Sequence, residues 1–471
     1  MAIPWLSWIP AAARWLWNKI RGRPTVQADR GGVAVGRDQH VGGSLVTGAG
    51  ATVADRGGRA LNITAQPGST VNVYYDGLPQ AEPEVRDPFE EGRRLQHAEK
   101  HEAAIEQFEK AFAAAKNDSQ RAALHILIGN SFAVLSRPAE AGGQYQQALA
   151  VARAAHNQEG EATALGNLGN VYADMGELGK AEEHQKNALQ IDQQIGNKRG
   201  EANALGNLGL VYVDRGELDK AEDHFNRALD IHEQIDDRAA QGTDLLNLGL
   251  VYADRGELDK AEDRFEKALA IHEAIGNRLA QATALVNLGN VYLELGRLAQ
   301  ADERYGRALA ICEAIGNPLG QARALAGLGL VYFRHREFDK AEGCLQKALT
   351  VHDQIGDRVG QAEDLGNLGS VYFQQGELDN AEEHYDKALQ IEEQTGNRLG
   401  QAATLANLGL LAERRGQADR AAKFLRQALE LYEHAGAGGE GPEIVRVALE
   451  RLQPANPPKP KRSRKKGPPK P

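Results

Sequence analysis

The sequence predicts an all-α fold, an array of about nine helical hairpins that stack into a superhelical solenoid, preceded by a short glycine-rich β segment. Three observations support this prediction. A forty-residue period runs through most of the chain, apolar residues fall in two stripes at helical spacing within each period, and glycines separate the stripes. A unit this small cannot bury its apolar face alone, so its stability must come from stacking on its neighbours.

Small residues and one aromatic residue return every forty positions. Glycine recurs at Gly169, Gly209, Gly249, Gly289, Gly329, Gly369 and Gly409. Tyrosine follows three positions later at Tyr172, Tyr212, Tyr252, Tyr292, Tyr332 and Tyr372, with Ala412 in the last copy. Alanine holds a further position at Ala181, Ala221, Ala261, Ala301, Ala341, Ala381 and Ala421. Two looser copies precede these, around Gly129 and Gly92, which makes nine copies.

Each copy contains two helical stripes and a break between them. Leu208 and Tyr212 fall on the first stripe, and Leu218 and Phe225 fall on the second. Gly216 stands between the stripes, where a helix must stop and the chain must turn. The sequence therefore predicts a unit of helix, tight turn, helix and turn.

Small side chains indicate where the two helices of a unit cross. Gly209, Ala221 and Ala228 have little or no side chain, so the two helices are predicted to approach closely there. Tyr212 and Phe225 would then fill the space beside the crossing.

This pattern resembles the tetratricopeptide repeat: Asn-Leu-Gly ending at Gly209, then Tyr212, Gly216, Ala221, Phe225 and Ala228, arrive at that family's spacings in copy after copy. The forty-residue period exceeds the usual family period of about 34 residues. In this respect the chain is similar to kinesin light chains, to the spindle-orientation adaptors of G-protein signalling and to bacterial signalling proteins. The resemblance implies a right-handed superhelical solenoid and a non-enzymatic scaffold that binds a partner peptide or helix in its concave groove.

The resemblance also implies which residues line that groove, because the first helix of each hairpin faces it in the family. The matching positions form an asparagine ladder at Asn167, Asn207, Asn247, Asn287, Asn367 and Asn407, interrupted by Gly327. An amide both donates and accepts hydrogen bonds, so such a ladder can hold the backbone of an extended peptide. The alternative is that each asparagine bonds within its own repeat.

A second series of groove positions changes charge along the array. It runs through Asp174, Asp214, Asp254 and Glu294, followed by Arg334, Gln374 and Arg414. The groove is therefore predicted to be acidic in its first half and neutral to basic in its second, so its partner should carry basic residues toward one end. Leu210, Leu250, Leu330 and Leu410 would add apolar contact. The alternative is a solvated helical face whose charges have no ligand.

The sequence predicts no catalytic residues, no cofactor and no metal site, because it contains no nucleophile–base constellation, phosphate loop or metal-ligand spacing. Four histidines on second helices are expected to be surface residues: His224, His232, His272 and His352. Cys312 and Cys344 are too few for a disulfide framework, which favours a reducing, cytoplasmic location, and Cys344 is interpreted as an inert thiol.

Residues 1–24 form a distinct aromatic segment, with all four tryptophans at Trp5, Trp8, Trp15 and Trp17. Indole rings prefer the headgroup region of a bilayer, and the apolar run is too short to span one. An anchor at the inner face of the membrane is favoured over an aromatic plug that packs on a partner. An alternative function follows, a membrane-associated bacterial signalling or defence component whose amino-terminal segment acts on the bilayer.

The remaining boundaries follow from composition. Residues 25–78 contain short alternating runs separated by glycine, which predict a β segment that self-associates or docks on the solenoid. Residues 79–88 are predicted to be a linker, 89–435 the solenoid and 441–453 a capping helix. The tail, 454–471, is basic, proline-rich and predicted to be disordered. It lacks interleaved aromatic residues, so an anionic membrane surface is expected as its partner rather than nucleic acid.

Overall fold

The computed structural model describes residues 62–63, 71–72, 81–98, 100–435 and 440–452. The predictions for the tryptophan-rich segment, for most of the β segment and for the basic tail lie outside these residues. Within the described ranges, no helix is both long enough and apolar enough to cross a membrane.

Two short strands and nineteen helices occupy the described part of the chain. The strands are β1 (Asn62–Ile63) and β2 (Val71–Asn72), which pair antiparallel. The helices are α1 (Pro83–His97), α2 (His101–Ala114), α3 (Asp118–Val134), α4 (Pro138–Ala154), α5 (Gln158–Asp174), α6 (Leu178–Ile195), α7 (Lys198–Asp214), α8 (Leu218–Gln234), α9 (Arg238–Asp254), α10 (Leu258–Ala274), α11 (Arg278–Glu294), α12 (Leu298–Ile315), α13 (Pro318–Arg334), α14 (Phe338–Ile355), α15 (Arg358–Gln375), α16 (Leu378–Thr395), α17 (Arg398–Arg414), α18 (Ala418–His434) and α19 (Glu440–Leu452). Helices α1 to α18 pair in sequence order, which confirms the predicted array of helical hairpins.

The first helix of most hairpins begins at a side-chain cap. A side-chain oxygen accepts a hydrogen bond from the backbone amide three residues on at Asn117, Asn157, Asn197, Asp237, Asn277, Asn317, Asp357 and Asn397. These caps satisfy one of the amides that a helix leaves without an intrahelical partner at its start. They fix where each first helix begins.

The tight turns between helices require a left-handed residue. Gly216 has φ of 75°, as expected for the residue that ends a helix in the left-handed conformation. Non-glycine residues hold the same conformation at four turns: Ser136, His156, Asp236 and Arg336. Left-handed geometry costs an ordinary residue roughly 1–2 kcal/mol, so these four turns are strained relative to the glycine turns.

The predicted close crossing of the two helices within a hairpin is confirmed. A Cβ atom added to Gly209 would lie 2.6 Å from Cε1 of Phe225, which is closer than carbon atoms pack. Phe225, Ala221 and Ala228 are fully buried beside it. Any larger residue at position 209 would displace the ring of Phe225 or move the two helices apart.

In four hairpins, a polar core residue of the second helix lies within hydrogen-bond distance of a polar residue of the first helix. The second helix donates to the first from Tyr145 to Asn130 (2.7 Å), from Gln185 to Asn170 (2.7 Å) and from Tyr305 to Asn290 (2.5 Å), and the hydroxyls of Tyr385 and Ser370 lie 3.1 Å apart. Four further copies carry apolar residues at both positions: Phe225 with Leu210, Phe265 with Leu250, Leu345 with Leu330, and Leu425 with Leu410. The first copy has Arg93 at the position that corresponds to Asn130, with Phe108 on its second helix. A tyrosine or glutamine on the second helix thus occurs in copies whose first helix supplies a polar partner for it.

Charged contacts join consecutive hairpins. The Tyr212 hydroxyl on α7 donates to Glu182 of α6 at 2.8 Å, and Arg215 donates to the same carboxylate at 2.5 Å. The next junctions repeat this arrangement, with Tyr252 and Arg255 on Glu222 and with Tyr292 and Arg297 on Glu262. These bonds accompany the apolar stacking that a solenoid requires.

The boundaries differ from the predicted ones at the amino-terminal end. Helix α1 begins at Pro83, so the prediction of a linker at 79–88 is wrong for its second half. Proline is tolerated in a first helical turn, and Val85 and Phe89 are buried, so the helix gains an apolar face there. At the other end, α19 packs on α18 with Val445 and Ala448 fully buried.

The chain divides into two compact units, Met1–Asn367 and Leu368–Pro471. The division falls inside α15. Helices α1 to α14 belong wholly to the first unit, and α16 to α19 belong wholly to the second.

Candidate ligand-binding face

The first helices of the first unit have one side that their neighbouring helices leave partly open. Each of these helices packs on the second helix of its own hairpin and on that of the preceding hairpin. On the remaining side, which we call the open face, half-exposed residues include Leu210, Leu250, Thr283, Val286 and Leu330. The open face is therefore a row of partly exposed apolar and hydroxyl side chains along α7, α9, α11 and α13.

The asparagine ladder lies deeper than the open face. Asn167, Asn207, Asn247 and Asn287 are buried, and Asn367 is half-buried, as is Asn407 in the second unit. The amide of Asn167 donates to Asn130 of the preceding hairpin at 3.3 Å, so at this position the ladder joins neighbouring first helices. In the described part of the chain, Nδ2 of Asn287 and of Asn367 makes no hydrogen bond.

The gap in the ladder has a steric cause. A Cβ atom at Gly327 would lie 2.4 Å from the ring of Tyr305, which belongs to the preceding hairpin. The same ring lies against Gly289, where an added Cβ would be 2.6 Å away. Because the buried ring of Tyr305 fills the space between these two glycines, no asparagine fits at 327.

The acidic series lies at the carboxyl-terminal ends of first helices. Asp174, Asp254 and Glu294 are half-buried and Asp214 is exposed. Burial, and then the neighbouring charge of Asp214, raise the pKa of Asp174 to about 8. A carboxylate at the negative end of a helix dipole is unfavourable for the helix.

The series changes sign between α11 and α13. Arg334 is half-buried, and burial lowers its pKa although the nearby Glu294 opposes the shift. In the second unit, Gln374 and Arg414 are exposed, and Arg414 donates to the carbonyl of Phe373 at 2.5 Å. Within the first unit, the change from acidic to basic therefore occurs where Glu294 meets Arg334.

Three of the four histidines are buried, so the prediction that they are surface residues is wrong for them. His232, His272 and His352 are 3%, 1% and 4% exposed. Nδ1 of His232 lies 2.6 Å from Asp244, and Nδ1 of His352 lies 2.7 Å from Asp364.

The physical reason is that the first helix of the next hairpin covers this position of the second helix. The sequence held a signal of it: an aspartate follows twelve residues after His232 and after His352, whereas Ala284 follows His272. His224, the fourth, is half-buried, and its ring centroid lies 4.9 Å from that of Tyr212 with the two rings tilted by 57°.

The two cysteines are separate thiols. Cys312 is buried at the position that His272 holds in the preceding copy, and Cys344 is half-buried. Burial raises the pKa of both thiols, which disfavours the reactive thiolate. Among the described residues, no group of three or more histidine, cysteine or acidic side chains is placed to hold a metal ion.

Comparison with protein families identifies the repeat. The tetratricopeptide repeat profile matches residues 119–194, 160–234, 200–274, 239–314, 280–354 and 361–434. The chain belongs to the tetratricopeptide repeat family. A comparison with curated protein sequences found no match.

Solved structures with the tetratricopeptide repeat fold are similar to this chain. A STAND (signal transduction ATPase with numerous domains) protein with a tetratricopeptide repeat sensor, from Pyrococcus horikoshii, aligns with a TM-score of 0.57 at 18% identity, over 79% of this chain and 55% of that one. The chain therefore spans just over half of the length of the archaeal protein.

Two further structures align over nearly their whole length. The quorum sensor NprR from B. thuringiensis has a TM-score of 0.55 at 14% identity, over 74% of this chain and 98% of its own. A Rap protein in complex with competence and sporulation factor has a TM-score of 0.54 at 16% identity, over 75% and 98%. Identities this low show a shared fold.

Proposed function

We propose that this tetratricopeptide repeat protein is a non-enzymatic scaffold that binds a segment of a partner protein along the open face of its first unit. The observation that supports this proposal is the row of half-exposed leucines, Leu210, Leu250 and Leu330, on first helices that end in the charged residues Asp214, Asp254 and Arg334. Apolar contact supplies affinity, and the polar groups beside it supply orientation.

The change of charge along the first helices would set the orientation in which the partner segment binds. A segment with lysine or arginine toward one end would place those residues near Asp214 and Asp254, and its neutral or acidic end near Arg334. Complementary charges of this kind set the orientation and the association rate more than the affinity.

The structural neighbours support a recognition role. The Rap protein was solved with competence and sporulation factor bound, NprR is a quorum sensor, and the archaeal repeats are described as a sensor. In those proteins the fold serves recognition, and we propose the same for this chain.

Selection from a library of random displayed peptides tests the proposal. We expect the full chain to enrich peptides with lysine or arginine clustered at one end, and a variant with Asp214→Lys and Asp254→Lys to lose at least tenfold in affinity for them. The matched control reverses the same charge at two exposed acids on a second helix, Asp230→Lys and Glu233→Lys, and should bind normally. No enrichment, or equal loss in both variants, would contradict the proposal.

A further inference from the structure

The strand pair β1–β2 lies beside one particular helix of the array. Asn62 pairs with Asn72, and Ile63 pairs with Val71. Strand β2 has Cα atoms within 8 Å of Cα atoms of α5. The pair therefore rests against the first helix of the third hairpin.

The packing of α5 leaves one side for this contact. Helices α4 and α6 cover the side of α5 that faces the second helices, and α3 and α7 flank it. The side that remains is the continuation of the open face. Strand β2 is therefore placed where a bound partner segment would lie.

The burial of Thr163 supports this placement. Thr163, Thr243 and Thr283 hold the same position in three copies, and each hydroxyl donates to the carbonyl four residues earlier. Thr163 is nevertheless only 8% exposed, whereas Thr243 and Thr283 are half-exposed. Because the side chains are alike and bonded alike, the lower exposure of Thr163 is consistent with cover by strand β2.

The two surfaces are also chemically alike. Residues 60–75 of the chain carry no charged side chain. On α5, Thr163 and Asn170 hold open-face positions and Asn167 belongs to the deeper asparagine ladder; all three are uncharged and buried. An uncharged strand can cover such a surface without burying an unpaired charge. The pKa of Asp174, raised by burial, is consistent with this cover.

We propose that the strand pair β1–β2 docks on the open face of α5 as an intramolecular ligand and competes with the partner segment for the amino-terminal end of that face. The competition rests on the proposed function, whereas the docking does not. A partner that extends to α5 must displace the strand pair, so the apparent affinity of the full chain is lower than that of a chain whose strand pair is released.

Cysteine cross-linking tests the docking. In a full chain with Cys344→Ser, the pair Val71→Cys with Thr163→Cys should be joined by a short bis-maleimide within one molecule. The matched pair Val71→Cys with Thr283→Cys should give at least tenfold less product. Equal yields would overturn the proposal. So would a product formed between differently isotope-labelled copies, because it would place the strand pair on a second molecule.

Release of the strand pair tests the competition. Val71→Pro removes a backbone donor from the strand pairing, so the full chain with this substitution should bind a basic peptide selected as above several-fold more tightly. Unchanged affinity would overturn the competition. If no peptide is selected while the cross-link at position 163 still forms, the proposed function fails and the docking stands.

Discussion

The hydroxyl of Tyr305 on α12 donates a hydrogen bond of 2.5 Å to Oδ1 of Asn290 on α11, and both side chains are buried. The copy built around Phe225 has Leu210 in place of the asparagine. The two positions therefore change together, from a polar pair to an apolar pair. Three of the leucines that match an apolar core residue, Leu210, Leu250 and Leu330, are half-exposed on the open face, whereas Leu410 is buried.

We expect a double-mutant cycle at this pair to be strongly non-additive. Tyr305→Phe and Asn290→Leu should each destabilise the sixth hairpin by about 1–3 kcal/mol, because each leaves a buried polar group without its partner. The double variant should recover most of that loss, since it recreates the Phe225 and Leu210 combination. Hydrogen exchange of the α11 and α12 amides measures the effect. Additive losses would show that the pairing is incidental.

Arg336→Gly should stabilise the protein. Arg336 is exposed and holds φ of 62° at a turn where equivalent positions such as Gly296 have φ of 70°. Removal of the Cβ atom relieves left-handed strain, and the greater freedom of glycine in the unfolded chain offsets part of the gain. We expect about 0.5–1 kcal/mol by denaturant unfolding. Arg336→Ala, which keeps the strain, is the control and should bring no gain.

The Glu182 junction should weaken in acid. A hydrogen bond from Lys186 and those from Tyr212 and Arg215, against an opposing burial effect, lower the pKa of Glu182 to about 2. A carboxylate whose pKa is lowered on folding stabilises the fold at pH values above its pKa in the unfolded chain, which is near 4.5. This contribution is lost as the pH falls toward about 2, the pKa in the folded chain.

Glu182→Gln should therefore increase hydrogen exchange in α6 and α7 at pH 7, and the difference from wild type should shrink as the pH falls from about 5 to 3. The control is Glu183→Gln beside it on the same helix. A difference that stays constant with pH would contradict a role for the carboxylate charge.

His272 should make the array less stable in mild acid. Burial lowers its pKa to about 4, so below about 6.5 the unfolded chain takes up a proton that the folded chain does not. Stability should therefore fall as the pH decreases from 6.5 to 4. His272→Cys, which copies Cys312 of the next hairpin, should reduce this fall when unfolding is followed across that range.

His352 should behave in the opposite sense. Burial opposes its charge, but Asp364 at 2.7 Å outweighs burial and raises its pKa. Its contribution is present below about 6.5 and is lost as the pH rises through the folded-state pKa. His352→Cys should therefore cost more stability at pH 6 than at pH 8. Identical pH profiles for the two cysteine variants would refute the assignment.

The repeat made the hairpin itself predictable from sequence. Gly209, Gly216 and Phe225 each hold one position in copy after copy, so close crossing, turn and core could be assigned from a single period. Contacts between hairpins were harder to predict, because a helical stripe does not show which neighbour covers it. His272 and Asn207 were placed on the surface or in the groove for this reason, yet both are buried.

Two further signals of side-chain contacts lie in the sequence. One is the aspartate twelve residues after His232, at Asp244, which indicates a contact between the two side chains. The other is the leucine that replaces Asn290 in copies with an apolar residue in place of Tyr305. They become visible when two repeat positions are compared with each other instead of one at a time. The start of α1 at Pro83 was missed because proline-rich composition indicates a linker, whereas proline is also tolerated in the first turn of a helix.

Photo-cross-linking tests the central claim, that the open face of the first unit holds the partner segment. A photo-reactive phenylalanine derivative in place of Leu250, on the open face, should cross-link a peptide obtained from the selection described above. The same group in place of the exposed Ala270, on the second helix of that hairpin, should not. Cross-linking from position 250 alone is the predicted result. Comparable cross-linking from position 270, or none from position 250 while the peptide still binds, would contradict the account.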